Sequence, residues 1–366
     1  MPRWTRRSFL GRAYALLLLA WLAGCVALAP TPTPREAGRA IQVIYDAALH
    51  ELPHDKQRHY AQRLYRIGGD PAYLAPMEAH GRRLLSQLQH DIAGLEEPGH
   101  GAARGREIVA GHARRTAKQR ARQAMLSEWG EVAFGRQLLF RLIQADYYGL
   151  LVRLPEHDRA LDYLASLEWR AFLTDPEVIR IYAAQVANQT EFLHQLGIVD
   201  LRREVRVAFQ RVYPPTDTAL LDEAAYHNRL YGMTHVVIAD SRYYQRWVEP
   251  ERHAWILDAF SREIDRIVNE ATADIQAEVA LSFLLAGQAN HPAVGRIRQA
   301  LVAAIDPQSG IIPSTSGSTD LIHGEHRNVL AIMVLTWPGQ LHPGPDLSRW
   351  LPESELFPVD DGERQL

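Results

Sequence analysis

From about residue 36 to 340 the apolar residues return every three or four positions, and no stretch alternates in twos between hairpin turns. Ile41, Ile44, Tyr45, Ala48 and Leu49 form one such stripe. Leu138, Leu139, Leu142, Ile143 and residues 145–148 form another, and Ile256, Phe260, Ile264, Ile267 and Val268 a third. A stripe of this period buries itself as one face of a helix, so the body is expected to be all-α. Roughly a dozen helices of about 10–20 residues fit the pattern. Asp175-Pro176-Glu177 and Asn290-His291-Pro292 each mark a helix start, with a polar cap before a proline whose missing N–H is not needed there. RLYRIGGDPAYL (63–74), SFLLAGQANHPAVG (282–295) and, loosely, HQLGIVDLRREV (194–205) repeat one order: helix, glycine stop, polar cap, new helix. Their spacing is uneven, which excludes a solenoid. Repeated antiparallel helix pairs in one body of ~330 residues point to an α/α toroid or incomplete α/α barrel, with an irregular bundle as the alternative.

The N-terminus reads differently. Arg3, Arg6, Arg7 and Arg12 precede an apolar run from Ala13 to Ala23, and Leu22-Ala23-Gly24-Cys25 closes it, the layout of a secretory signal. Those last four residues resemble the bacterial lipobox, whose cysteine is acylated and becomes the new N-terminus. Cys25 is the chain's only cysteine, so no intrachain disulfide can form. Thr5-Arg6-Arg7-Ser8-Phe9-Leu10 is similar to a twin-arginine export motif, with Gly11 where lysine is common. Residues 1–24 are thus expected to be a signal peptide and Cys25 the lipidated residue. Segment 25–38, with prolines at 30, 32 and 34, reads as an extended tether. The alternative is an uncleaved anchor, because residues 13–29 carry no charge and reach the short edge of the about 17–25 residues that span a bilayer. Val26 stands where aspartate would retain an enterobacterial lipoprotein in the inner membrane, so the resemblance implies the outer one. In either case the expected partner is a lipid bilayer and the expected address the cell envelope, facing the periplasm. Residues 39–337 form the expected helical domain and 338–366 an irregular acidic tail.

Outside the first 24 residues, which hold four of the 40 basic residues and none of the 43 acidic ones, the balance is 36 basic against 43 acidic. That balance gives no reason to expect nucleic-acid binding. HARRTAKQRARQ (112–123) is locally basic and suits either contact with anionic lipid or a solvated helix face. GLEEPGHGAARG (94–105) is expected to be a mobile loop, and DPQSGIIPSTSGSTDLIHG (306–324) a long one. His50-Glu51-Leu52-Pro53-His54 spells H-E-x-x-H, but Pro53 breaks the helix that this zinc motif requires. No G-x-S-x-G, Walker loop or cysteine pair exists, so serine-hydrolase and nucleotide chemistry lack support.

Three elements carry candidate chemistry. On a helical wheel of residues 228–246, Leu230, Met233, Val237, Ser241 and Tyr244 fall on one side. Asn228, Tyr231, Gly232, His235, Ala239, Arg242 and Arg246 fall on the other, so His235 lies in a polar stripe that small neighbours leave open. In ADIQAEVALSFLLAG (273–287), Asp274 and Glu278 share one face, and the helix after them is apolar all round and therefore buried. In HGEHRNVLAIMVL (323–335), His323, Glu325 and His326 stand where the long loop enters an apolar helix. His235, Glu278 and Asp274 suit acid/base catalysis; His235, Glu278 and His326 suit a divalent metal. Tyr231, Arg242 and Tyr243, with Tyr244 and Trp247, suit substrate binding. The plainer readings are a cap for Asp274, a favourably placed charge for Glu278 and a polar first turn for His326. A buried Glu278 needs a partner, and His235 or Arg242 is expected to share an interior cavity with it.

The run NRLYGMTHVVIADSRYYQRWV, then DIQAEVALSFLLAG, then GEHRN resembles an uncharacterised bacterial family described as a domain of unknown function, over most of residues 40–340. The Y-x-x-T-H and D-x-x-x-E helices are also similar to those of α/α-toroid proteins. The resemblance implies the fold and an envelope location, and transfers no catalytic residue. Two functions remain open: an envelope enzyme, metal-assisted or acid/base, acting on a glycan in a helical-barrel cavity, or a non-enzymatic lipoprotein that binds a glycan or an envelope protein.

Overall fold

Among the described residues the first helix begins at Pro34, inside the segment expected to be tether; proline is favoured at this position. The structure, a computed structural model, describes residues 32–349. The expected signal peptide, Cys25 and most of the tether lie outside the described residues. Sixteen α-helices and no strand are formed among the described residues. They are α1 (Pro34–Ala48), α2 (His54–Gly68), α3 (Leu74–Gly94), α4 (His100–Ala110), α5 (Ala117–Ser127), α6 (Val132–Tyr147), α7 (His157–Ala165) and α8 (Trp169–Thr174). Then come α9 (Pro176–Gln195), α10 (Arg202–Val212), α11 (Glu223–Asp240), α12 (Ala254–Arg262), α13 (Ile264–Glu270), α14 (Ala273–Leu285), α15 (Pro292–Ala303) and α16 (Leu321–Thr336).

The starts follow the expected chemistry. Asp175 accepts the N–H groups of Glu177 and Val178 ahead of Pro176, and His291, rather than Asn290, accepts that of Ala293 ahead of Pro292. The three echoing stretches use one device: Gly69, Gly197 and Gly287 sit at φ of 68°, 71° and 73°, a left-handed stop open to glycine, before the chain re-enters a helix.

The helices pack pairwise. α2 packs on α3, α3 on α6, α6 on α9, α9 on α11, α11 on α14, α14 on α16, and α16 on α2. Helices α1, α4, α10 and α15 pack on α16, α6, α9 and α14 respectively. All residues from 275 to 285 on α14 and from 328 to 335 on α16 are buried, as an all-round apolar pattern requires.

Three expectations need correction. The stripe 256–268 is broken at Glu263 (φ −100°, ψ 10°), whose carboxylate forks onto Arg229 at 2.8 and 2.9 Å. The expected loop 94–105 is helical from His100, because Gly101 and Gly105 let α4 approach Tyr163 and Gly130 at distances no Cβ would tolerate. Around Pro53 the chain runs from a 3₁₀ turn into α2, so the H-E-x-x-H string spans a helix boundary as expected. The tail is docked on the body as far as residue 349. His342 N–H donates to Arg66 O at 2.7 Å, Leu347 N–H to Tyr148 O at 2.9 Å, and Leu347 is fully buried. The third correction bears on the site. The wheel assumed one helix over 228–246, but α11 ends at Asp240, and Arg242, Tyr243 and Tyr244 follow with φ of 53°, 56° and 73°.

Candidate functional site

Left-handed backbone costs about 1–3 kcal/mol per non-glycine residue, so the turn after α11 must be held from several sides. Ser241 Oγ accepts Tyr244 N–H at 2.9 Å, Arg66 Nη1 donates to Tyr243 O at 2.8 Å, and Gln245 Nε2 donates to Arg242 O at 2.6 Å. The turn separates residues that the wheel had grouped. Arg242 pairs with Asp146 instead of Glu278, while Tyr243 enters the wall of a cavity of about 730 Å³. Tyr244 is buried, with the Arg63 guanidinium 5.7 Å from its ring centre. Trp247 is 46% exposed and meets Trp337 edge-on, away from this wall.

α2, α11 and α16 reach the cavity with His59, His235 and His326, and α14 contributes no residue to its lining. Glu278 on α14 is 2% exposed, and a lone carboxylate there would cost several kcal/mol. It is not alone. Thr234 Oγ1 donates to Oε2 at 2.7 Å, and both His235 Nε2 (3.6 Å) and His326 Nε2 (3.7 Å) face Oε1. Burial works to raise the Glu278 carboxyl, but the His235 charge and hydrogen bond, His326 and Thr234 outweigh it and hold it below the usual carboxylate range. His235 is fixed on its other side by Asn188 Oδ1, 3.0 Å from Nδ1. His235 therefore meets Glu278, and His326 joins it; the two imidazoles line the cavity, whereas Glu278 is not part of its lining. Gly232 does not leave room beside the His235 ring, as the wheel suggested. It lets α11 close on Phe209 and Ala183, where a Cβ would sit 2.6 and 2.9 Å from the nearest carbons.

Asp274 is not a helix cap; that place belongs to Thr272. It accepts a short hydrogen bond from the Tyr231 hydroxyl. Burial raises its carboxyl, yet the neighbouring hydroxyls, Tyr231 among them, and His326 bring it below its ordinary value. Tyr231 in turn is pushed well up, by burial first and then by Asp274. His323 is 87% exposed at its side chain and bonds only the capping Asp320, so it stands apart from the site.

Behind His326 lies a second acid. His326 Nδ1 is 3.3 Å from His59 Nε2, and His59 Nδ1 is 2.6 Å from Glu325 Oε1, whose other oxygen is 3.4 Å from Lys56 Nζ. Burial pushes Glu325 up to about 7, against the pull of Arg63 and Lys56. His326 is pushed down to about 4 and His59 well below its usual value, both mainly by desolvation. One proton arrangement satisfies the whole chain. Protonated Glu325 donates to His59 Nδ1, His59 Nε2–H donates to His326 Nδ1, and His326 Nε2–H points at ionised Glu278. In a polarised row of this kind each bond strengthens the next.

His59, Asn188 and Thr234 escaped the sequence reading, and Glu325 was noticed only as a neighbour. Arg58, His59, Gln62, Arg63 and Arg66 recur three and four apart on α2, which is the same polar-stripe signal that singled out His235. The basic stretch 112–123 also divides. Thr116 and Gln119 form a capping box for α5, and Lys118 and Arg122 turn to the cavity. Among the described residues no group of three or more His, Cys, Asp or Glu is arranged to hold a metal ion. His235 and His326 converge instead on one oxygen of Glu278. No helix among the described residues is long and apolar enough to cross a membrane.

A family model described as a domain of unknown function, DUF3541, matches residues 35–357. No curated protein and no solved structure matches the chain.

Proposed function

The chain belongs to the DUF3541 family, and we propose that it is an envelope lipoprotein, anchored through Cys25, whose helical body is an acid/base enzyme acting on a glycan. The observation that carries the reading is the pair of imidazoles, His235 and His326, which line one cavity and lean on the same buried carboxylate. A carboxylate behind an imidazole fixes its tautomer and stabilises its protonated form, so the ring takes and returns a proton at a substrate. Glu278 has that role for His235, whose Nδ1 exchanges Asn188 Oδ1 for the substrate, while His326, engaged at both nitrogens by His59 and Glu278, helps to keep that carboxylate ionised. Asp274 and Tyr231 place a hydroxyl on the same wall, and Tyr243 offers a ring face for a sugar to stack on. No aspartate or glutamate among the described residues lines the cavity itself, which favours imidazole proton transfer over two-carboxylate glycoside hydrolysis. The closed run of contacts from α2 through α16 and back to α2 supports an α/α toroid with this cavity as its lumen. The twin-arginine-like head, lipobox and proline spacer support export and an outer-membrane tether.

The test is to incubate the purified protein with a panel of envelope polysaccharides and follow chain length and mass. Alteration of a glycan by the wild type, lost in His235→Asn with its circular dichroism unchanged, supports the reading. A folded protein that binds a glycan and leaves it intact makes the chain a binding lipoprotein instead. His235, Glu278 and His326 are also the donors of the metal-assisted form of this reading. Elemental analysis of chelator-free protein and of Glu278→Gln separates that form from the metal-free one.

A further inference from the structure

Five cationic side chains, Arg58, Arg63, Lys118, Arg122 and Arg136, line the cavity, and among the described residues no carboxylate does. None of the four arginines forms an ion pair among the described residues, and the Nε of each is buried without a hydrogen-bond partner. Arg63 is only 6% exposed. Glu325, whose charge acts on Arg58 and Arg63, is taken by Lys56 and His59. At the other end Arg122 and Arg136 lie 4.9 and 4.5 Å from the centre of the Tyr182 ring, a cation–π contact that orients them and leaves their charge unmatched. Arginines so placed are held there against both repulsion and desolvation, and burial indeed lowers Arg58 and Arg136. The wall also carries unsatisfied acceptors: Gln185 Oε1 and Gln189 Oε1, one turn apart on α9, are buried without a donor.

A ligand that replaces water here must bring oxyanions to the guanidiniums and hydroxyl donors to the amide oxygens, with a flat face for the tyrosines. Resting on the glycan reading above, we infer that the cavity binds an acidic glycan, a sugar chain carrying carboxylate or phosphate groups, through Arg58 and Arg63 at one end and Arg122 and Arg136 at the other. The amides of Gln185, Gln189 and Asn188 take the hydroxyls between them.

The experiment is titration calorimetry of the purified protein with three probes: tetragalacturonate, the same chain with its carboxyls reduced to alcohols, and a phosphorylated maltotetraose. At least one charged chain is expected to bind about tenfold or more tighter than the neutral chain, with an affinity that falls as salt rises. Which one binds tighter tells carboxylate from phosphate. Arg63→Gln and Arg122→Gln are each expected to weaken that binding by about tenfold, whereas Arg170→Gln, on the surface beside Glu204, leaves it unchanged. Should Arg63→Gln fail to fold, the half-buried Arg122 carries the test alone. Equal affinity for the neutral chain, no binding of either charged chain at millimolar concentration, or full affinity in both arginine variants overturns the inference. Binding of an acidic chain without turnover removes the enzyme reading and leaves this inference standing. Turnover of a neutral chain does the reverse.

Discussion

Glu325 gives the clearest energetic prediction. Its side chain is fully buried, and its carboxyl titrates near 7 in the folded protein against 4.5 for a free glutamate. Between those values the folded state keeps a proton that the unfolded chain has released. Stability contributed by this group is therefore complete below pH 4.5, falls as pH rises towards 7, and is flat above it. The difference of the two values corresponds to about 3 kcal/mol at pH 8. Glu325→Gln keeps the shape and, like the protonated acid, donates to His59 Nδ1, but has no charge to bury. The variant is expected to match the wild type near pH 4.5 and to exceed it by up to about 3 kcal/mol at pH 8. Glu191, also raised to about 7 by burial, contributes the same trend to both proteins and cancels in the difference. Urea unfolding of both proteins at half-unit steps from pH 4.5 to 8 measures it. Parallel stability curves across that range would refute the reasoning, because they would mean that Glu325 ionises normally inside the fold.

Two further predictions concern anchoring and packing. Cys25→Ser is expected to release the protein from the membrane fraction or to block its processing; unchanged fractionation together with unchanged gel mobility would count against the lipid anchor. Gly232→Ala drives a methyl into Phe209 and Ala183 and is expected to cost about 1–3 kcal/mol in urea unfolding, and a neutral result would show that α10 can move away.

The helices were legible because each buries a face of period 3.6, and their starts because a cap before a proline has one meaning. Glu278 was legible for the same reason: a helix apolar on every side after it had to bury it. His326 could be proposed but not paired, since its neighbour His59 lies 267 residues away in sequence and only the packing of α2 on α16 joins them. The end of α11 was hidden. Nothing in Arg242-Tyr243-Tyr244 announces three left-handed residues, because the bonds that hold them come from Arg66, Ser241 and Gln245 rather than from a glycine. That hidden turn sent Arg242 to Asp146 and Tyr243 to the cavity. The arginine lining escaped notice for a similar reason: its members come from α2, α5 and α6, and in a chain with 38 arginines no single one stands out.

The account rests on Glu278 serving two imidazoles at a reacting centre. The direct measurement is the turnover rate of Glu278→Gln on whichever glycan the wild type alters, beside its circular dichroism and thermal midpoint. With the fold retained, the account predicts a fall of about a hundredfold or more, the usual contribution of a positioned acid/base pair. A variant that folds and turns over within about threefold of the wild type would contradict it, because no general acid or base contributes so little.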